Sequence, residues 1–257
     1  MTNTALLLSL NDEFVPYAKI FLHSLLKNNP TFSQDVILLA DSTLSNDGIQ
    51  ELKAVYSNLK KIYVQVDDYK NCKQLTKKWK VNLLYRFDIF ELGNLGYDKI
   101  ILVDADMIVT GKIDSLLEQN VLFGACRKNP LKDKDIFNCG LMVFSKDILK
   151  RAHKNELIKL ACGDEWESDQ PLFNQYMKQY VTFLPQKYNV TSEVLTEELA
   201  KEGVIFHFAG QTKPYGLKKK VENSFNKDFI KEKGITLLSS VFYKLKIFER
   251  ELNKLYV

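Results

Sequence analysis

The chain opens with short unbroken apolar runs that alternate with stretches of helical period. Leu6 to Leu10 is the first run, followed by the turn Asn11-Asp12. Ala18, Phe21, Leu22, Leu25 and Leu26 then fall at i, i+3, i+4, i+7 and i+8, one face of an amphipathic helix. Pro16 suits its first turn, and Asn28-Asn29-Pro30 ends it. Val36 to Ala40 is a second apolar run closed by Asp41. A helix is expected over Asp47 to Tyr56, and a third strand over Ile62 to Val66. Strands that are apolar at every position are buried on both faces, which predicts a mostly parallel sheet with helices on either side. The unit reads as Rossmann-like, yet no GxGxxG fingerprint follows the first strand, so a dinucleotide cofactor is not expected.

Further on, Leu83, Leu84, Phe87, Phe90 and Glu91 mark another helix, which leads to a loop from Gly93 to Gly96. Ile100 to Val103 is the most apolar strand of the chain, and it runs straight into Asp104-Ala105-Asp106. Later strands are expected near Leu122 to Cys126, Leu141 to Phe144, Val181 to Leu184 and Val204 to Phe208.

Composition narrows the class. With 257 residues, 46% of them hydrophobic, the chain can bury one substantial core. No linker-like segment or fixed-period repeat divides it. The formal net charge of +4 is too mild to argue for nucleic acid. No apolar run reaches the length of about 18 residues that a membrane span needs, and residues 2–8 lack the form of a secretory signal. These features predict a soluble, cytoplasmic protein. Cys72, Cys126, Cys139 and Cys162 form no CxxC pair or zinc spacing, and are expected as reduced, packed thiols. Asn189-Val190-Thr191 is formally a glycosylation sequon, expected to stay unmodified.

The chemistry centres on Asp104 and Asp106. In extended backbone, residues two apart point to one side, so both carboxylates share a face at the end of a buried strand. Open α/β sheets bind ligands at the carboxyl ends of their strands. Paired carboxylates there suit Mg²⁺ or Mn²⁺, which can bridge a diphosphate. The triplet alone also fits a strand-end turn with two solvated acids. His207, in Val204 to Gly210, would complete a ligand set that leans towards Mn²⁺. Its plain alternative is a core histidine bonded to a backbone carbonyl. Gly210, Lys213, Pro214 and Gly216 make a basic loop able to reach phosphate oxygens. In Phe137-Asn138-Cys139-Gly140, ahead of an apolar strand, the amide can both donate to and accept from a sugar hydroxyl, and the glycine allows close approach; a plain turn is the alternative. Ser168, Asp169 and Gln170 open a helix, as ligands for hydroxyls or as simple caps. Arg86 precedes the aspartate strand as a phosphate or sugar ligand, or as an ordinary surface charge.

The order of these pieces resembles glycosyltransferase family 8, which contains glycogenin and bacterial lipooligosaccharide galactosyltransferases, from Thr4 to about Gly216. Leu8-Ser9-Leu10-Asn11-Asp12, Arg86, Val103 to Asp106, Phe137 to Gly140, Ser168 to Gln170, Tyr188-Asn189, His207 to Gly210 and Lys213-Pro214 carry it. The resemblance implies a GT-A fold over residues 1–217. It implies a retaining transferase that moves a hexose, glucose first and galactose second, from a UDP-sugar to a hydroxyl. Asp104, Asp106 and His207 would bind Mn²⁺, with Mg²⁺ as the second choice. Lys213 and the Gly210 backbone would hold the diphosphate. Leu8, Ser9, Asn11 and their backbone would contact the uridine, and Ala105 the ribose. Arg86, Asn138, Asp169 and Gln170 would line the sugar, and Asn138, Asp169 and Gln170 are the catalytic candidates. The expected acceptor is a separate glycan, glycolipid or glycoprotein. A self-glucosylating protein and a catalytically weak binder of nucleotide sugars are the alternatives.

Residues 218–257 lie outside the resemblance. Val241, Phe242, Leu245, Phe248, Leu252 and Leu255 approach helical spacing among basic residues. The stretch is expected as a helical extension packed on the domain, or resting on an anionic membrane surface. A homodimer is left open.

Overall fold

The computed structural model describes residues 3–72, 81–163, 166 and 168–209. The runs expected as buried strands become β1 (Thr4–Ser9), β2 (Asp35–Ala40) and β4 (Lys99–Val103) of one seven-stranded sheet. Its order is β3-β2-β1-β4-β7-β6-β8, with β3 at Leu59–Tyr63, β6 at Phe123–Asn129, β7 at Asp133–Ser145 and β8 at Val181–Phe183. The half from β3 to β4 is parallel; β7 then runs antiparallel to both β4 and β6, and β8 parallel to β6.

Strand periodicity explains the unbroken apolar runs. Ala5, Leu7, Ile37, Leu39, Ile100 and Leu102 point into one core, and Leu6, Leu8, Val36, Leu38, Ile101 and Val103 into the other. α1 (Val15–Asn28) and α2 (Asn46–Val55) cover the second face through Phe21, Leu22, Leu25 and Leu52. The first face is covered by a 3₁₀ segment at Val81–Leu95, α4 (Arg151–Gly163) and α5 (Asp169–Met177), through Phe87, Phe90, Leu157 and Phe173. Two further short helices are α3 (Asp114–Leu117) and α6 (Glu197–Glu202).

Because the chain builds β1, β2 and β3 outward and then returns to place β4 on the other side of β1, the strand order reverses between β1 and β4. At such a point the flanking connections diverge and leave a crevice beyond the strand ends. A second, two-stranded sheet closes part of it: β5 (Met107–Val109) pairs antiparallel with β9 (Ile205–His207).

Several boundaries differ from expectation. β3 begins three residues earlier than the apolar run Ile62 to Val66, because its register with β2 pairs Leu59 with Val36 and accepts two lysines at the sheet edge. The helix expected around Leu83 to Glu91 is 3₁₀ and continues to Leu95, through most of the expected glycine loop. Leu84 through Phe90 are all buried, so this stretch has no solvent-exposed face. Phe137 to Gly140 does not precede a strand but lies inside β7. The cysteine expectation is corrected for one pair: Cys72 and Cys162 form a disulfide, with Cα atoms 4.5 Å apart across 90 residues of sequence. Cys126 and Cys139 are free and buried, as expected. Asn189 of the sequon is fully buried. Among the described residues, no helix is long and apolar enough to cross a membrane. Residues 210–257, with Gly210, Lys213 and the basic extension, lie outside the described residues.

Candidate active site

A cavity of about 710 Å³ opens at the strand-order reversal. Its walls come from the ends of β1 (Ser9, Asn11), β2 (Asp41) and β4 (Asp104, Ala105, Asp106), from the 3₁₀ segment (Tyr85, Arg86), from β7 (Asn138, Cys139, Gly140), from the start of α5 (Asp169, Gln170) and from His207.

Asp104 and Asp106 are held by backbone pairing on both sides. The Asp104 amide donates to Gly140 O at 2.8 Å, and Asp106 O accepts from the Phe208 amide at 2.9 Å. The expectation of one extended strand end is corrected: Asp104 directly follows β4 and Asp106 lies in the turn before β5, and that turn still brings them together. His207 arrives from about a hundred residues away because β9 pairs with β5, placing it opposite Met107. Its Nε2 lies 3.5 Å from Asp104 Oδ2 and 3.4 Å from Asp106 Oδ1. One ligand atom from each of the three falls within 4.8 Å of the others. Two carboxylates and an imidazole at this separation fit a divalent cation of the Mn²⁺ or Mg²⁺ kind.

Arg86 is buried and spans two acids. Its Nη2 donates to Asp104 Oδ1 at 3.0 Å, and its Nη1 lies 3.0 Å from Asp169 Oδ2. Burial works against the guanidinium charge, but Asp169 and Asp104 outweigh it and raise its pKa. Asp169 itself is raised above the usual carboxylate range, first by burial and further by Asp104, with Arg86 opposing. The Asp169 and Asp104 carboxylates therefore share one cation. Ser168 is the N-cap of α5 but makes no side-chain capping bond, so capping does not account for it.

Asn138 Oδ1 accepts from the Gly140 amide at 2.8 Å and from Asn189 Nδ2 at 2.9 Å. Asn11 is buried, and its Oδ1 has no hydrogen-bond partner among the described residues, an acceptor left for a ligand. Of the residues singled out from sequence, Ser9, Asn11, Arg86, Asp104, Ala105, Asp106, Asn138, Asp169, Gln170 and His207 line the cavity. Leu8 does not: its side chain is in the core beneath β1.

Sequence reasoning missed Phe14, Asp41, Tyr85, Lys128, Thr191 and Glu193, which also line it. Asp41 accepts from Thr43 and from the Tyr85 hydroxyl at 3.1 Å, and Tyr85 is pushed up to about 12, chiefly by burial and then by Asp41. Asp41 was visible as the polar residue closing an apolar run. The others carried no signal, since isolated Phe, Lys and Glu residues are common on any surface.

The glycosyl transferase family 8 model matches residues 5–216. Glycogenin-1 of Mus musculus is 28% identical over 232 residues, covering 84% of this chain and 66% of its own length. The lipopolysaccharide 1,2-glucosyltransferase of Escherichia coli K12 is 23% identical over 233 residues, covering 76% of this chain and 68% of its own. The chain thus spans about two thirds of the length of these curated relatives. The crystal structure of the galactosyltransferase LgtC in complex with donor and acceptor sugar analogues shares the GT-A fold, with a TM-score of 0.66 over 86% of this chain and 92% of that one, at 15% identity. Since the family model runs from β1 to beyond His207 and takes in every strand of both sheets, this chain belongs to glycosyltransferase family 8.

Proposed function

We propose that the chain transfers a hexose from a UDP-sugar to a hydroxyl of a separate glycan, glycolipid or glycoprotein acceptor, with retention of configuration and with Mn²⁺, or secondarily Mg²⁺, at Asp104, Asp106 and His207. Glucose is the first candidate donor sugar and galactose the second. The observation that carries the reading is the meeting of these three side chains from distant parts of the chain on the wall of one cavity. When bound, the ion supplies positive charge against a departing diphosphate.

The protein's own groups would do the rest. Ser9 and the free acceptor of Asn11 lie at the end of β1, where they would receive the uridine, with Ala105 beside the ribose. Arg86, Asn138, Asp169 and Gln170 would line the sugar, and Lys213 with the Gly210 backbone would hold the diphosphate. Retention by double displacement needs a carboxylate free to attack the sugar from the face opposite the leaving group. Asp169 is buried and paired with Arg86, which weakens it as a nucleophile and supports a front-face route. On that route the acceptor hydroxyl enters on the side the diphosphate leaves, and a phosphate oxygen takes its proton. Stabilising the leaving diphosphate would be the largest contribution to rate.

The test is hydrolysis of a panel of nucleotide sugars with Mn²⁺, comparing wild type with Asp106→Ala. We expect turnover of one UDP-sugar, lost on chelation and reduced at least ~100-fold in the variant. Absence of any UDP binding, with or without metal, would overturn the proposal.

A further inference from the structure

Asn189 does not line the cavity. It is completely buried behind its wall, after the 3₁₀ turn Gln186–Tyr188, and its side chain lies between His207 and Asn138. We infer that Asn189 is a positioning residue, which sets both the nitrogen His207 turns to a cation and the end of Asn138 turned to the donor sugar. This rests on the metal-dependent transfer proposed above.

The assignment starts from one unambiguous donor. The Gly140 backbone N–H can only donate, and its partner at 2.8 Å is the Asn138 side chain, so the atom facing it is the carbonyl oxygen. Asn189 approaches that same oxygen at 2.9 Å, so it must present its NH₂ there. Its own carbonyl oxygen then faces the other way, 3.0 Å from His207 Nδ1. An acceptor at that position requires the proton on Nδ1. A neutral imidazole protonated at Nδ1 carries its lone pair on Nε2, the atom that faces Asp104 and Asp106. One backbone amide thus orients three side chains in sequence.

A second consequence concerns the sugar. Asn138 Oδ1 already accepts twice, so the end left for the cavity is its NH₂. Asn138 then acts as a donor to a hydroxyl oxygen, although an amide can in principle do either. The packing allows no substitute. A Cβ at Gly140 would sit 2.2 Å from His207 Cε1 and 2.9 Å from Asn138 Oδ1. The glycine of the Phe137 to Gly140 motif is there to admit this relay.

Two variants separate the roles. Asn189→Asp keeps an acceptor for His207 and loses the donor to Asn138. Asn189→Leu loses both. Long-range ¹⁵N NMR of metal-free wild type, at a pH where imidazole is neutral, should show His207 protonated at Nδ1. In Asn189→Leu that preference is lost and Mn²⁺ affinity, by calorimetry, falls ~10–100-fold. In Asn189→Asp the tautomer and the Mn²⁺ affinity stay near wild type, while the KM for the UDP-sugar rises several-fold. A wild-type His207 protonated at Nε2 overturns the inference, as does an Asn189→Asp protein that loses metal as severely as Asn189→Leu. Should Asn189→Leu fail to fold, the wild-type tautomer and the Asn189→Asp protein still decide. A wild type that binds no Mn²⁺ while showing the Nδ1 tautomer would count against the metal-dependent reading and leave the hydrogen-bond relay standing.

Discussion

Arg86 shows how a single buried cation can hold a site open for another. It stands between Asp104 and Asp169, two acids that would otherwise repel inside the fold. Arg86→Met should cost about 3–5 kcal/mol, because it leaves the buried Asp169 carboxylate without its partner. The pH dependence has a definite sign. Asp169 is already raised in the folded state, so the fold binds its proton more tightly than the unfolded chain does. Stability is therefore penalised above the raised value and recovers as pH falls through it towards the ordinary carboxylate range. Losing Arg86 moves the value further up, so urea denaturation of the variant should show its deficit shrinking in acid. At Gly140, a methyl group meets the His207 ring at 2.2 Å. Gly140→Ala should lower Mn²⁺ affinity roughly tenfold or more, by calorimetry, as the imidazole is displaced. At this scale Asp104, Asp106 and His207 were legible through the order of the motifs that resemble family 8, because two acids at a strand end or a lone histidine also fit a solvated turn or a core residue. Asn189 was visible only as part of a motif, since its role depends on partners 51 and 18 residues away.

The elements are tied together by an ion cluster on the other side of the sheet from α1. Lys154 of α4, only 1% exposed, lies 2.6 Å from Asp68, 2.7 Å from Asp88 and 3.2 Å from Glu91. Asp88 also accepts from the Tyr69 hydroxyl and the Gln65 amide. The 3₁₀ segment that carries Arg86 is thereby fastened to α4 and to the short turn at Val66–Tyr69. Burial lowers the Lys154 pKa, but the hydrogen bonds to Asp68 and Asp88 outweigh it and the net shift is upward. A lysine raised in the fold stabilises fully below its unfolded value of about 10.4 and loses that contribution as pH rises through the folded value. Lys154→Met should cost about 3–5 kcal/mol at neutral pH, read from urea denaturation, and much less below the carboxylate range, where the stranded acids are neutral. The charge cluster was not legible in sequence. No spacing or motif joins Asp68, Asp88, Glu91 and Lys154 along the chain, and they meet only when α4 docks over the 3₁₀ segment. The elements that were read well, β1, α1, β2 and β4, each have a period that only one environment satisfies. β3 was misplaced because an edge strand tolerates lysines that a buried strand does not.

For the molecule as a whole, the Cys72–Cys162 disulfide is the main departure from the sequence reading, and it bears on the expected cytoplasmic setting, where such bonds are rare. It closes a loop of 90 residues and joins α4 to the segment that follows the Val66–Tyr69 turn. Loop closure of this size is worth about 2–4 kcal/mol, so reduction should lower the Tm by roughly 5–15 °C. Thiol titration of unreduced, denatured protein should find two reactive cysteines, Cys126 and Cys139. Four would show that the pair stays reduced where the protein is made.

The fold class followed from sequence alone, because burial on both faces of a strand forces an apolar run; the acidic centre, which as a triplet also fits a solvated turn, was identified through the ordered motifs that resemble family 8. What joins what was decided only in three dimensions. The β5–β9 pairing brings His207 to Asp104 and Asp106, β7 slots Asn138 and Gly140 beside β4, and helix docking pairs Cys72 with Cys162. These are contacts between residues far apart along the chain. They depend on strand register and on how helices settle against the sheet, and local periodicity carries no information about either.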